Sequence, residues 1–105
     1  MKPDNATIEA LKLEYKRLIL VEDYDGDQYV CRLPTSAEVD RYIQGANKVD
    51  TKLDAIRGIA LACTVWPDHD TMTKLTDDFP FLAATLETKI SEFGKLHQNA
   101  IVKKL

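Results

Sequence analysis

The most apolar stretch of the chain, LDAIRGIALACTVW, runs from Leu53 to Trp66. Its apolar positions recur at helical spacing, and its second half is apolar on nearly every side, which is typical of a helix enclosed by its neighbours. Pro67 ends the helix, because the residue before a proline is pushed out of helical geometry. We therefore expect a core helix over 53–66, and we predict that its buried face comprises Leu53, Ile56, Ala60 and Cys63.

The pattern changes upstream of this stretch. Two short apolar runs, which include several β-branched residues, flank the acidic turn EDYDGD. The pair Asp25-Gly26 favours a hairpin turn, since that turn needs positive φ, which glycine adopts readily. We predict strands near 16–22 and 28–33. Alternation along the second strand places three residues on one face: Tyr29, Cys31 and Leu33. Because an isolated hairpin is barely stable, we expect this face to pack on helices or on a partner.

Helices are predicted on both sides of the hairpin. Helical spacing indicates a short helix from Thr7 to about Tyr15, although the alternating pattern in the same stretch leaves a strand as the alternative. Thr35 and Glu38 have the spacing of a capping box, which predicts a helix start, and Asp50 is placed to cap the core helix. The helix after the capping box has one apolar stripe: Val39, Tyr42, Ile43, Ala46 and Val49.

Two more helices follow the core helix. Asp68 is a suitable N-cap for a short helix that Pro80 ends, and its apolar positions are Met72, Leu75 and Phe79. The last helix, from about Phe81 to His97, has an apolar stripe of Leu82, Leu86, Ile90, Phe93 and Ala100. Its opposite side is polar and contains Glu87, Thr88, Ser91, Glu92 and Lys95. Such a stripe usually faces a core; a protein-binding groove or an oligomer interface is the alternative, because the apolar area exceeds what a small hairpin covers.

The length of 105 residues fits a single domain, and we predict one α+β domain in which a β-hairpin packs on about five helices. Residues 1–5 and 98–105 are expected to be flexible. The net charge is −3, with cations interleaved among acidic residues, which argues against nucleic-acid binding. We see neither a signal peptide nor a stretch long enough to cross a membrane, and therefore expect a cytoplasmic protein.

Few residues are candidates for chemistry, and we predict no catalytic, cofactor-binding or metal site. Cys31 and Cys63 lie in apolar segments, so we interpret them as buried free thiols, with a disulfide as the alternative. The acidic turn fails the EF-hand test, since its glycine is fourth instead of sixth. His69, between two aspartates, fits an exposed position at a helix start. A small enzyme using His69 and the Asp23–Asp27 turn is the least favoured alternative.

Four landmarks follow one another from the hairpin onward: Cys31–Tyr42, the apolar Ile59–Pro67, the acidic helix ending at Phe79-Pro80, and the Leu82–Phe93 helix. Within the first, Arg32 is followed by Pro34-Thr35 and Glu38, which is the most specific part. This order, over about residues 12–97, resembles that of the small tail assembly chaperones of long-tailed phages and prophages.

The resemblance implies a protein that binds the tape-measure protein, a long apolar helical chain, and keeps it soluble in the cytoplasm of the bacterial host until tail-tube subunits polymerise around it. The major tail-tube protein is the second expected partner, homo-oligomerisation is left open, and no cofactor is expected. Amphipathicity selects the candidate partner-binding residues, which are Leu86, Ile90, Phe93, Ile101 and Val102. The alternative is a structural head–tail or tail component retained in the virion.

Overall fold

The structure is a computed structural model that describes residues 1–94 and Lys104. This part of the chain confirms the α+β fold, with five α-helices and a three-stranded antiparallel sheet. The helices are α1 (Asn5–Glu14), α2 (Ser36–Ala46), α3 (Lys52–Cys63), α4 (His69–Asp78) and α5 (Pro80–Phe93). The strands are β1 (Leu18–Glu22), β2 (Gln28–Arg32) and β3 (Thr64–Trp66), and a 3-10 turn (Val49–Thr51) precedes α3.

The stretch before the hairpin is helical, as the main prediction had it. Asp4 caps α1, because its carboxylate accepts a hydrogen bond of 2.7 Å from the Thr7 N–H. None of the ten residues of α1 is buried, so this helix lies on the outside of the domain. Met1 contacts the hairpin: its ammonium group pairs with Asp27 at 2.6 Å, and its carbonyl accepts a hydrogen bond from the Gln28 N–H at 2.8 Å.

The predicted hairpin is confirmed, and its second strand is the central strand of the sheet. The β1–β2 register runs from Leu18 opposite Arg32 to Glu22 opposite Gln28. Gly26 has a φ of 84°, the positive φ that the Asp25-Gly26 pair predicts for this turn. β2 has a strand on each side, and because adjacent side chains of a strand point to opposite faces, the burial of both Val30 and Cys31 shows that both of its faces are covered. Its buried residues therefore do not alternate with exposed ones: they are Tyr29, Val30 and Cys31.

The third strand was not predicted, and the expected core helix is shorter than 53–66. Thr64–Trp66 leaves the helix and pairs with β2, with Thr64 opposite Cys31. Two properties of this stretch favour the strand: the residue before Pro67 is pushed towards extended geometry, and β-branched residues suit a strand. Neither property shows that β2 has a free edge, and β3 forms by pairing with this edge.

Leu53 is not part of the core, which corrects the prediction for this residue, whereas Ile56 is partly buried against the core. The Leu53 side chain is 80% exposed, and the buried residues of α3 lie in its second half: Ile59, Ala60 and Cys63. The first half packs on α2 through small residues, since a Cβ at Gly45 would come within 2.8 Å of the Cβ of Ala55. Leu53 is two positions from Ala55, about 200° round the helix, and therefore points away from α2.

Two of the three predicted capping interactions are present at the helix starts. The capping box is present: the Glu38 N–H donates to the Thr35 hydroxyl at 3.2 Å, and the Thr35 N–H donates to the Glu38 carboxylate at 2.8 Å. Asp68 caps α4 as predicted. Asp50, predicted to cap α3, lies in the 3-10 turn and does not do so. That turn also breaks the stripe of α2, because Val49 is 93% exposed.

The core lies where α3, α4 and α5 meet the sheet, and its largest fully buried side chains are Cys31, Cys63, Met72, Leu86 and Ile90. Leu86 and Ile90 were candidate partner contacts, and the structure corrects this, since both are enclosed within the monomer. The polar side of α5 is also partly inside: Glu87 is 7% exposed and Ser91 is 2% exposed. Other elements therefore cover more of the circumference of α5 than its predicted apolar stripe indicated.

Candidate protein-binding surfaces

Two phenylalanines protrude from the corner between α4 and α5. Phe79 is 63% exposed and Phe81 is 86% exposed, and they flank Pro80, the first residue of α5. The corner contains no loop, because Phe79 is at once the residue that ends α4 and the residue that precedes α5. Its N–H donates to the Leu75 carbonyl at 2.8 Å, and its carbonyl accepts from the Leu82 N–H at 3.0 Å. Both rings are therefore presented by ordered backbone.

The exposed apolar area continues along the outer face of α5. A shallow depression of about 290 Å³ is lined by Phe81, Ala84, Thr85, Thr88 and Lys89. The spacing of these residues is that of one helical face, and the opposite face of α5 is in the core. We call Phe79 and the residues that line this depression the Phe79–Phe81 surface.

A second feature is a groove of about 300 Å³ between α2 and α3. Its floor consists of small residues that allow the two helices to approach, namely Gly45, Ala55, Gly58 and Ala62. Its rim contains charges of both signs, including Arg41 and Asp54. The groove thus has no overall charge preference, and its narrow floor results from the close packing of the two helices.

Tyr42 lies at the inner side of this groove and takes part in a buried polar network. Its hydroxyl donates to Glu87 Oε1 at 2.9 Å, and the Ser91 hydroxyl donates to the same oxygen at 3.0 Å. Burial, together with the Glu87 carboxylate, raises the pKa of Tyr42 to about 12, so the phenol keeps its proton. The network joins α2 to α5. The sequence contained one signal for it: a tyrosine in an apolar stripe needs a partner for its hydroxyl.

Arg32 and Glu38, the residues most specific to the resemblance, form a two-bond ion pair. Arg32 Nη1 donates to Glu38 Oε1 at 2.8 Å and Nη2 donates to Oε2 at 2.9 Å. Arg32 also donates to the carbonyls of Leu33 and Ala62, each at 2.9 Å. The hydrogen bonds from Arg32 lower the pKa of Glu38 to about 2. This side-chain pair therefore ties β2, the start of α2 and the end of α3 together.

The residues weighed for chemistry lie in ordinary structural positions. Cys31 and Cys63 are buried free thiols, as predicted, and burial raises their pKa values to about 11 and about 12. In the acidic turn, Asp23 accepts hydrogen bonds of 3.0 Å from the N–H groups of Asp25 and Asp27. His69 is exposed in the first turn of α4. Within residues 1–94, no three His, Cys, Asp or Glu side chains are grouped to hold a metal ion.

The remaining candidate contact residues fall at the end of α5. Phe93 is half-buried and lines an open depression next to α1 and β1. Ile101 and Val102 lie outside the described residues, as do Leu96 and His97. The exposed residues of the Phe79–Phe81 surface were not among the candidates, because Phe79 was counted as an apolar position of a short helix. The sequence did contain a signal for this surface, namely an aromatic residue on each side of the proline that begins α5.

Among the described residues, no helix has the length and apolar character needed to cross a membrane. No curated protein matches the chain. One solved structure, "Structure of uncharacterised protein rbstp2171 from bacillus stearothermophilus", is similar with a TM-score of 0.77 and 15% identity, over 91% of this chain and 99% of that one. At this identity the likeness shows the fold alone. The model of the DUF6848 family, described as a domain of unknown function, matches residues 11–103, and the chain therefore belongs to that family.

Proposed function

We propose that this protein is a tail assembly chaperone of a long-tailed phage or prophage. It binds the tape-measure protein in the cytoplasm of the bacterial host, keeps it soluble, and hands it over when tail-tube subunits polymerise. The observation that carries the proposal is the Phe79–Phe81 surface. A chaperone for an apolar helix needs exposed apolar area that is held ready for contact, and this surface has that property.

The two rings are suited to act as anchors for an apolar helix. Burying a phenylalanine side chain contributes roughly 1.5–3 kcal/mol before the costs of association, and aromatic residues dominate binding energy at many interfaces. The corner between α4 and α5 orders the backbone of Phe79 and Phe81, so little backbone freedom is lost on binding. The outer face of α5 beyond Phe81 offers small side chains, Ala84 among them, against which an incoming helix packs closely.

The charge of the chain suits the same role. The net charge of −3 opposes self-association of this chain. Asp78, directly before Phe79, is exposed and adds an acidic group next to the surface, whereas the neighbouring Asp77 pairs with Arg57. The major tail-tube protein is the second proposed partner, and neither nucleic acid nor a membrane has a part in the proposal.

The test is co-expression of the tape-measure protein with this chain and measurement of its soluble fraction. The variant Phe79→Ser/Phe81→Ser is expected to lose most of the solubilising effect. The matched control is Leu13→Ser/Val49→Ser, which removes two apolar side chains that are 91% and 93% exposed on other elements. This control is expected to act like the wild type.

Two results would count against the proposal in different ways. If the tape-measure protein is equally soluble without this chain, the chaperone role fails. If the wild type solubilises it and the double phenylalanine variant does so equally well, the role stands but the surface is wrong. Purified particles give a further check, because a chaperone is absent from them; finding this chain there in stoichiometric amount would favour a structural component of the virion.

A further inference from the structure

A groove with an apolar floor and a basic rim lies at the other end of α5. An open depression of about 650 Å³ is lined by Lys12, Tyr15, Lys16, Arg17, Leu18 and Phe93. A second depression, of about 420 Å³, shares three of these residues, Tyr15, Lys16 and Arg17. The two depressions therefore form one continuous surface on both sides of the link between α1 and β1, and we call it the basic groove.

The floor of the basic groove is apolar and partly open to solvent. Tyr15, Leu18 and Phe93 are half-buried in the first depression, and Leu33 is half-buried in the second. These side chains offer contact area without rearrangement of the core.

The rim is positive in a chain whose net charge is −3. Lys16 and Arg17 are exposed and have no ion-pair partner within the described residues, and Lys12 has only an exposed contact of 3.4 Å with Glu9. Arg32 lines the second depression, but its guanidinium group forms an ion pair with Glu38. The unneutralised charge thus belongs to the two residues that the depressions share.

We infer that the basic groove binds an acidic amphipathic segment of a partner protein, in which carboxylates surround one or two apolar side chains. The carboxylates complement the rim, and the apolar side chains cover the floor. The chain's own C-terminal sequence does not fit this description, because KLHQNAIVKKL contains neither Asp nor Glu and adds three lysines. Charge therefore favours an occupant from another chain.

The basic groove is a separate surface from the one proposed to bind the tape-measure protein. The two surfaces share no lining residue: their nearest residues on α5, Lys89 and Phe93, are four positions apart, about 6 Å along the helix, whereas Phe81 and Phe93 are about 18 Å apart. Substitutions at Phe79 and Phe81 therefore leave the Lys16/Arg17 rim unchanged. The inference does not depend on the identity of the protein bound at the Phe79–Phe81 surface.

The test uses the full chain and a fluorescein-labelled peptide in which Asp and Glu surround two Leu and one Phe, with binding followed by fluorescence anisotropy. Lys16→Glu/Arg17→Glu is expected to weaken binding about tenfold or more, since two attractions become repulsions, and added salt is expected to weaken wild-type binding. The control Lys48→Glu/Lys74→Glu makes the same change of net charge at exposed positions elsewhere and should stay within about twofold. Phe79→Ser/Phe81→Ser should also bind the peptide normally, which separates this test from the previous one.

Two further peptides test the two halves of the recognition. Replacing Asp and Glu by Asn and Gln, or Leu and Phe by Ser, is expected to weaken binding in each case. Peptide-induced NMR shifts should centre on Leu18, Leu33 and Phe93. The inference is overturned if the Lys16/Arg17 variant binds like the wild type or if the Asn/Gln peptide binds equally well. It is also overturned if a single-stranded oligonucleotide or phosphatidylglycerol vesicles bind with the same dependence on Lys16 and Arg17, since the groove would then recognise another class of partner.

Discussion

Gly45 and Gly58 both line the groove between α2 and α3, and alanine at these positions is expected to change stability in opposite directions. A Cβ at Gly45 would lie 2.8 Å from the Cβ of Ala55, an atom that cannot rotate away because it is attached directly to the backbone of α3. A Cβ at Gly58 would meet nothing within 4 Å. The same methyl group therefore forces two helices apart in one case and extends into open space in the other.

The expected magnitudes follow from two competing terms. Alanine is favoured over glycine by about 1 kcal/mol inside a helix, and by less near a helix end such as that of α2. Overpacking costs about 1–3 kcal/mol, because the neighbouring backbone must shift. Gly45→Ala should therefore lower the free energy of unfolding by about 0.5–2 kcal/mol, whereas Gly58→Ala should raise it by about 0.5–1 kcal/mol. In a domain of this size, the two melting temperatures should differ by roughly 5 °C or more.

Urea unfolding followed by circular dichroism measures both changes. Adding Ala55→Gly to Gly45→Ala removes the atom that the new methyl group meets, so the two substitutions should couple favourably in a double-mutant cycle. The reasoning would be refuted if Gly45→Ala stabilised the protein as much as Gly58→Ala does. It would also be refuted if the cycle showed no coupling, because the cost would then lie elsewhere than in the contact between α2 and α3.

Two further predictions concern the buried polar contacts. Tyr42→Phe removes a donor from the Glu87 carboxylate and is expected to cost about 1–3 kcal/mol in urea unfolding, whereas Tyr24→Phe, at a fully exposed position, should cost nothing; equal effects would contradict the role of the network. Glu38→Gln keeps a capping side chain but removes the charge opposite Arg32. Because the pKa of Glu38 is lowered from 4.5 to about 2, the ion pair stabilises the fold fully above about pH 5 and is lost as the pH falls towards 2. Unfolding measured over this range should show the advantage of the wild type shrinking on acidification, and a constant difference would speak against it.

In the proposed chaperone, the two surfaces contribute two different kinds of recognition, one apolar and one electrostatic. The Phe79–Phe81 surface is apolar and suits a helix that is insoluble alone, whereas the basic groove around Lys16 and Arg17 selects for carboxylates. Apolar area contributes affinity but discriminates little between partners, and charge complementarity contributes register and rate of association. α5 carries most of the Phe79–Phe81 surface, whereas it contributes only Phe93 to the basic groove, which is formed mainly by the link between α1 and β1.

The elements that could be predicted from the sequence are those set by interactions between neighbours in the chain. The Asp25-Gly26 turn, the Thr35–Glu38 capping box and the Asp68 cap each depend on residues within four positions of one another, and all three are present. The two buried thiols were likewise readable, because each lies in an apolar run. For the same reason the α+β class and the order of the five helices and the hairpin were predictable, although the third strand was not.

Which face of each element meets a neighbour was decided by the tertiary structure alone. Thr64–Trp66 became a strand because β2 had a free edge, Leu53 remained exposed because α2 approaches the opposite side of α3, and Glu87 was buried because Tyr42 reaches it from α2. Periodicity reports that a segment has an apolar side, but burial depends on the distance to residues far away in the sequence. The sequence by itself therefore determined the elements and ends that depend on residues close together in the chain, whereas packing determined the third strand, the end of α3 and which apolar side chains form the core.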